Sequence, residues 1–170
     1  MSANNYQEQY DRMIRWFNKI QEINQRKRLV NAPVNEVMDE VTAFFQNCYY
    51  LKDWIEKDNV AKAKLDRLGI KIDRDFINTD NDMKLLVDLC NGTKHMELDI
   101  NPRTGNLGRS GENPKFTAAQ NFKVTIGEPG GTKTEVDWHI ITDLGKQYSV
   151  IDLATRCIQK WENFIKNYLS

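Results

Sequence analysis

Net charge and long apolar runs are both missing from this chain of 170 residues. Lysine and arginine together number 24, and aspartate and glutamate also number 24, so the formal net charge is zero. A chain without net charge has no overall field that attracts nucleic acid or an anionic membrane. Any contact with RNA or DNA therefore requires a local basic patch. We interpret the basic run at residues 26–28 as a solvated helix end, although with Arg103, Arg109 and Lys115 it could contact phosphates.

No segment contains the 18 uninterrupted apolar residues that indicate a transmembrane helix. The first five residues also lack the basic region and apolar run of a signal peptide, so we expect none. These absences predict a cytoplasmic protein that has no membrane partner.

Cysteine and histidine are too few and too dispersed for the common metal sites. Cys48, Cys90 and Cys157 are odd in number, and each occupies an apolar position of a predicted helix. We expect them to be reduced and buried rather than part of a disulfide framework or a zinc site. The two histidines, His95 and His139, belong to different predicted elements, and His139 is expected on the exposed side of a strand. The sequence therefore predicts no metal and no cofactor.

Most of the chain shows apolar residues at steps of three and four, which predicts α-helices. The predicted helices cover residues 5–28, 34–57, 60–68, 80–97 and 150 to the C-terminus. We expect Asn59 to cap the third helix and Gly69 to end it, with Thr79 or Asp80 capping the fourth and Ser149 the last. Residues 70–78 show no clear pattern.

The remaining segment, between the fourth and the last helix, predicts a loop and a β-hairpin. Residues 99–117 are rich in glycine, asparagine and proline, which favours a long loop. Residues 120–142 alternate apolar and polar side chains around a Pro-Gly-Gly turn, which is typical of a hairpin. The fold prediction is a single mainly α domain over residues 1–170. It is a four- or five-helix bundle with an antiparallel β-hairpin inserted before the C-terminal helix.

The fourth predicted helix has the most informative pattern in the chain. Lys84, Asp88, Asn91 and His95 fall within an arc of roughly 60° on a helix that is otherwise largely apolar. Such a polar stripe must find partners or open into a cleft. His95 is suited to general acid–base catalysis, Asn91 could orient a substrate, and Asp88 could hold one imidazole nitrogen. The stripe carries no serine or cysteine that could act as a nucleophile.

The second predicted helix places Asp53 among the aromatic residues Tyr49, Tyr50 and Trp54. One interpretation is an ordinary acid on the surface of the helix. The other is a desolvated carboxylate that pairs with His95 or Lys94. Asp53, Lys94, Arg103 and Arg109 are the candidate substrate-binding residues.

The spacing of Asn91 and His95, late in a bundle helix, resembles the signature of the HEPN superfamily. This resemblance implies a small helical bundle that is often dimeric. It also implies metal-independent RNase activity of the kind found in toxin–antitoxin and phage-defence systems, with His95 as the general base on a ribose hydroxyl. The resemblance covers residues 5–98 and 149–169, with the hairpin as an insertion.

The chain departs from that signature at the arginine that binds phosphate in the family. Asp88, Leu89 or Cys90 stands at the corresponding position. Lys84, Lys94 or an arginine of the 99–117 loop could replace it.

Two hypotheses follow from the sequence. In the first, the protein is an RNase that acts on RNA, with a homodimer bringing two polar stripes to a shared groove. In the second, it is a non-catalytic binding or regulatory module. Asp88, Asn91 and His95 then form a structural hydrogen-bond network, and the aromatic face around Asp53 or the long loop contacts a protein partner.

Overall fold

The computed structural model describes residues 5–24, 34–94, 103, 114–126, 132–142 and 146–170. These residues form α1 (Tyr6–Asn24), α2 (Val34–Lys57), α3 (Asn59–Leu68), α4 (Ile72–Asp75), a 3-10 helix (Ile77–Thr79), α5 (Asn81–Lys94) and α6 (Val150–Tyr168). Three strands, β1 (Pro114–Ile126), β2 (Thr132–Thr142) and β3 (Gln147–Ser149), pair in that order as an antiparallel sheet. The predicted fold class is confirmed: the protein is mainly helical, with a β-hairpin before the C-terminal helix.

Helix α2 coincides with its predicted range. The predicted ends of α1 and α5, residues 25–28 and 95–97, lie outside the described residues. Between α3 and α5, the short helix α4 and the 3-10 helix occupy the stretch that showed no pattern in the sequence. Each is a single turn, and one turn is too short to show helical periodicity.

The cap of α3 is Asp58, so the prediction of Asn59 is wrong. Asp58 has an extended backbone, and its Oδ1 accepts hydrogen bonds from the amides of Val60 (2.9 Å) and Ala61 (3.0 Å). Asn59 is already the first helical residue. The other oxygen of Asp58 accepts a hydrogen bond from the Tyr6 amide at 3.3 Å, which joins the start of α1 to the start of α3.

The other predicted helix boundaries in this region are confirmed. Gly69 ends α3 in the left-handed conformation, with φ of 68°. Asp80, rather than Thr79, caps α5, because its Oδ1 accepts from the amides of Asp82 (2.9 Å) and Met83 (3.1 Å). Ser149 caps α6 by accepting from the Asp152 amide at 3.4 Å.

The sheet is larger than predicted. Strand β1 begins at Pro114, so the predicted loop extends too far and the hairpin starts earlier than residue 120. The pairing register shifts between Thr117 and Asn121, and this irregularity interrupts the alternation that would have revealed the whole strand. Strand β3 was missed because three residues are too few for a period of two to appear.

The core lies where α2, α5 and α6 meet, with α1 packed against α2. Each of these four helices contributes fully buried apolar side chains, among them Met13, Phe44, Leu86 and Trp161. The three cysteines are buried in this core, as predicted. None of the described helices combines the length and apolar character needed to cross a membrane.

Candidate functional site

Asp88, at the middle of α5, is almost completely buried, with 1% of its surface exposed. Its neighbours Val87 and Leu89 are buried apolar residues. A carboxylate withdrawn from water needs hydrogen bonds to offset the loss of hydration. One of these bonds comes from the backbone amide of Arg103, which donates to Asp88 Oδ1 at 2.8 Å. Two residues that the sequence suggested for different roles therefore meet, through a backbone group rather than an ion pair.

The side chain of Arg103 also forms hydrogen bonds, with residues of α4 and of the 3-10 helix. Its Nη1 donates to Asp73 Oδ1 at 2.9 Å and to Asn78 Oδ1 at 3.2 Å. Asn78 lies three residues before α5 begins, so this bond holds the guanidinium near the start of that helix. Lys94 lies in the opposite direction, six residues or about 9 Å along the axis from Asp88. Arg103 is therefore turned away from the end of α5 where a replacement for the phosphate-binding arginine was expected.

Lys52 of α2 binds the same carboxylate as Arg103. Its Nζ donates to Asp73 Oδ2 at 2.6 Å, and its side chain is only 13% exposed. Burial alone would raise the pKa of Asp73, but the hydrogen bonds from Lys52 and Arg103 outweigh burial and hold this pKa below its ordinary value. Asp73 is thus a carboxylate bridge between two cations. We refer to Lys52, Asp73, Asn78, Asp88 and Arg103 as the Arg103 cluster.

Asp53 does not belong to this cluster. Its side chain is exposed, so the interpretation as a desolvated carboxylate is wrong and that of a surface acid is confirmed. Successive residues of a helix differ by about 100° in direction, which turns Lys52 inward and Asp53 outward. Near Asp53, Tyr50 is 43% exposed, and the Arg12 guanidinium lies 5.5 Å from the ring centroid of the half-buried Trp54.

Of four further candidates, one is described in full, one in part and two not at all. Asn91 is half-buried on α5, and Lys94 is the last residue of that helix. The side chain of Lys94, and His95 and Arg109 as a whole, lie outside the described residues.

His139 is half-buried, so its predicted exposure is wrong. The reason is β3, which pairs with β2 at this position and places Ser149 opposite His139. Within the described part of the chain, no three His, Cys, Asp or Glu side chains are arranged to hold a metal ion.

The sequence did not reveal Lys52, Asp73 or Asn78 as members of the site. Lys52 follows the buried Leu51 on α2, and its position beside the apolar stripe is the one signal that could have identified it. Asp73 and Asn78 lie in the two single-turn helices, where the sequence shows no periodicity.

A second charged group joins α5 to α6. Arg156 donates two hydrogen bonds to the carboxylate of Asp82, at 3.0 and 3.1 Å. Lys160 bonds to Asp80 and lies 3.4 Å from Asp82. Burial alone would raise the pKa of Asp82, but Arg156 and Lys160 outweigh it and lower this pKa. These four charges join the start of α5 to α6.

No protein-family model, no curated protein and no solved structure matches this chain. The resemblance to the HEPN superfamily through Asn91 and His95 therefore stays a prediction. Any function has to be inferred from the geometry of the described residues.

Proposed function

We propose that the chain is a non-catalytic helical binding module of a cytoplasmic protein, in which the polar stripe of α5 stabilises the fold. The observation that carries this proposal is the burial of Asp88 against the Arg103 amide. A buried carboxylate that accepts a hydrogen bond from a distant backbone amide satisfies two polar groups inside the fold and joins two segments of the chain. This is a structural role for Asp88, as the second hypothesis expects.

The ion pairs that lysine and arginine side chains form with carboxylates support the same proposal. An RNase must hold a phosphate with positive groups that are free to reach it. In the described part of the chain, Arg103 and Lys52 are held by Asp73, and Arg156 is held by Asp82. A phosphate would have to displace these carboxylates. The free cysteines, all buried, favour a reducing compartment such as the cytoplasm.

The outer face of α2 is the surface that we propose for binding a partner. Tyr50 is 43% exposed there, and Asp53 and Trp54 lie three and four residues further along the helix. Aromatic residues are enriched at protein interfaces. An exposed carboxylate beside them repels a nucleic-acid backbone, so a protein is the better partner for this face.

An RNA-cleavage assay tests the non-catalytic part of the proposal. Wild-type protein and His95→Ala are incubated with mixed single-stranded and base-paired RNA, with and without chelator. We expect both proteins to leave the RNA intact. Cleavage by the wild type that is lost in His95→Ala would establish the RNase hypothesis and overturn the proposal.

The binding part is tested by quantitative capture from an extract of cells that naturally contain the protein. Wild type is compared with the double variant Tyr50→Ser/Asp53→Lys, and with Arg67→Ser, which alters an exposed position on α3. We expect one protein to be captured by wild type and Arg67→Ser and lost with the double variant. Equal capture by all three would show that α2 does not provide the contact surface.

A further inference from the structure

Arg12 of α1 lies against the outer face of α2, the face that we assign to a partner. Its guanidinium carbon is 5.5 Å from the ring centroid of the half-buried Trp54. At this distance a cation is attracted to the negative face of an indole ring. Trp54 follows the exposed Tyr50 by four residues, so the two rings are neighbours on the helix surface. The contact therefore joins α1 to one of the aromatic side chains of the proposed binding face.

Two hydrogen bonds hold the guanidinium of Arg12 in this place. Its Nη1 donates to Gln9 Oε1 at 3.0 Å, and its Nη2 donates to Glu8 Oε1 at 3.3 Å. Both acceptors belong to the preceding turn of α1. The guanidinium is planar, and its N–H groups have fixed directions. Bonds from two different nitrogens therefore set its orientation as well as its position.

Gln9 is itself held by α2. It is fully buried, and its Nε2 donates to the backbone oxygen of Asn47 at 2.9 Å and to Asn47 Oδ1 at 3.1 Å. The amide nitrogen of glutamine carries two N–H groups, and here both are directed at Asn47. The amide oxygen is thereby left to accept the bond from Arg12. A continuous set of contacts runs from α2 through Gln9 and Arg12 and returns to α2 at Trp54.

We propose that Arg12 is a positioning residue, which holds the ring of Trp54 in the orientation that the partner contacts. This inference rests on the proposed function, because it concerns the same face of α2. Mobile side chains become ordered when an interface forms, and this ordering opposes binding. A ring that Arg12 already holds avoids part of that cost, and tryptophan is among the residues that contribute most to binding energy. Arg12 therefore acts through Trp54 and need not touch the partner.

The contacts of Arg12 contribute little to holding the two helices together. Its ion pair with Glu8 is exposed, with 38% of the first side chain and 63% of the second open to solvent. Such pairs add little to stability. Helices α1 and α2 instead bury side chains such as Met13 and Phe44 completely. Removal of the guanidinium should therefore leave the bundle folded while it releases the ring of Trp54.

Fluorine NMR of protein labelled with 5-fluorotryptophan measures the ring of Trp54 directly. The chain has four tryptophans, and the resonance that is missing from Trp54→Phe belongs to Trp54. The resonance of Trp161, which is fully buried in the core and is assigned in the same way, reports whether the bundle stays folded. The variants are Arg12→Gln, Arg12→Lys and Arg15→Gln. The last is the matched control, because Arg15 is an exposed arginine of the same helix.

We expect Arg12→Gln to move the Trp54 resonance towards that of the free labelled amino acid, because the ring then samples several orientations. Arg12→Lys keeps the charge but lacks the planar fork, so it should cause a smaller shift in the same direction. Arg15→Gln should leave the Trp54 resonance in place, and the Trp161 resonance should be the same in all variants. If Arg12→Gln also moves the Trp161 resonance, the milder Arg12→Lys decides.

The second measurement is quantitative capture from the same cell extract as above. Arg12→Gln should capture its partner two- to fivefold more weakly than the wild type, the factor that about 0.5–1 kcal/mol represents. Arg15→Gln should capture as the wild type does. A role of Arg12 in stability alone would change neither the Trp54 resonance nor the capture.

Two results would overturn the inference. A Trp54 resonance that stays in place in Arg12→Gln would show that Arg12 does not hold the ring. A resonance that moves while capture equals that of the wild type would show that the partner does not depend on the orientation of the ring. In either case, loss of capture with Tyr50→Ser/Asp53→Lys would leave the proposed binding face intact. Equal capture by that double variant would remove the proposed function, and with it the role of Arg12.

Discussion

Two buried aspartates, Asp58 and Asp88, accept hydrogen bonds from backbone amides that are distant in the sequence. Asp58 binds the amide of Tyr6, and Asp88 binds that of Arg103. The sequence could predict that Asp88 needs a partner, because it is polar on an otherwise apolar helix. It could not predict which partner, because every residue except proline carries the same amide. The sequence therefore predicted that Asp88 forms a hydrogen bond, but not which segment of the chain donates it.

Asp58 both caps α3 and binds the start of α1, and the contribution of these bonds to stability can be measured. Asp58→Ala removes the cap of α3 and the bond to α1, so we expect it to lower the free energy of unfolding by about 1–2 kcal/mol. Asn59→Ala changes the residue that the sequence suggested as the cap and should have an effect below about 0.5 kcal/mol. The free energies of unfolding of the two variants are compared by urea denaturation. A larger loss in Asn59→Ala would contradict the assignment of the cap.

Asp73 should make stability depend on pH. Its pKa is lower in the folded protein than the ordinary value of 3.8, because Lys52 and Arg103 together outweigh the effect of burial. The folded state then binds this proton less readily than the unfolded state. The stabilisation is fully present above the ordinary pKa and is lost as the pH falls through the lowered one.

Asp73→Asn provides the measurement. It should be less stable than the wild type at pH 7, and this difference should shrink as the pH is lowered from 5 to 2. Because the pair is part-exposed, 1 M salt should also reduce the difference at pH 7. A difference that is the same at every pH would show that Asp73 does not contribute through its charge.

At the scale of elements, the long helices could be predicted from the sequence and the shortest helices and strands could not. The 24 residues of α2 repeat the apolar pattern over several turns, and the predicted range matched the helix. The four residues of α4 and the three of β3 complete barely one period, so neither could be recognised. For the same reason the sequence did not reveal two residues of the site, since Asp73 belongs to α4 and Asn78 to the 3-10 helix. Of the Arg103 cluster, the sequence therefore predicted Asp88 and Arg103 and missed Lys52, Asp73 and Asn78.

Gly69 ends α3 in a left-handed backbone conformation that residues with a side chain rarely adopt. Its φ of 68° is costly for residues with a Cβ atom, although a Cβ added there would meet nothing within 4 Å. We expect Gly69→Ala to lower the free energy of unfolding by about 1 kcal/mol through backbone strain alone. Gly69→Asn should cost less, because asparagine tolerates this conformation better. Equal losses in thermal or urea unfolding would indicate a cause other than backbone strain.

At the scale of the whole molecule, the three cysteines show how the long helices form one core. Cys48, Cys90 and Cys157 come from α2, α5 and α6, and all are buried. A hydrogen bond with Cys48 and burial raise the pKa of Cys157, and burial raises the pKa of Cys90. The sequence predicted their burial from apolar spacing on each helix, but not that thiols from separate helices would meet.

These thiols should therefore stay inert until the whole bundle unfolds. A thiol reacts as its thiolate, and both burial and the raised pKa values keep the thiolate scarce. In native protein at pH 8 we expect no rapid reaction with a disulfide reagent such as Ellman's reagent, and reaction of all three cysteines in denaturant. Asp88→Ala provides a stringent control, because Cys90 lies two residues from the substituted position on α5. This variant loses the acceptor of the Arg103 amide but keeps the apolar side chains around Cys90, so Cys90 should remain unreactive. Rapid labelling of Cys90 in that variant would show instead that the bond to Asp88 is needed to keep α5 packed in the core.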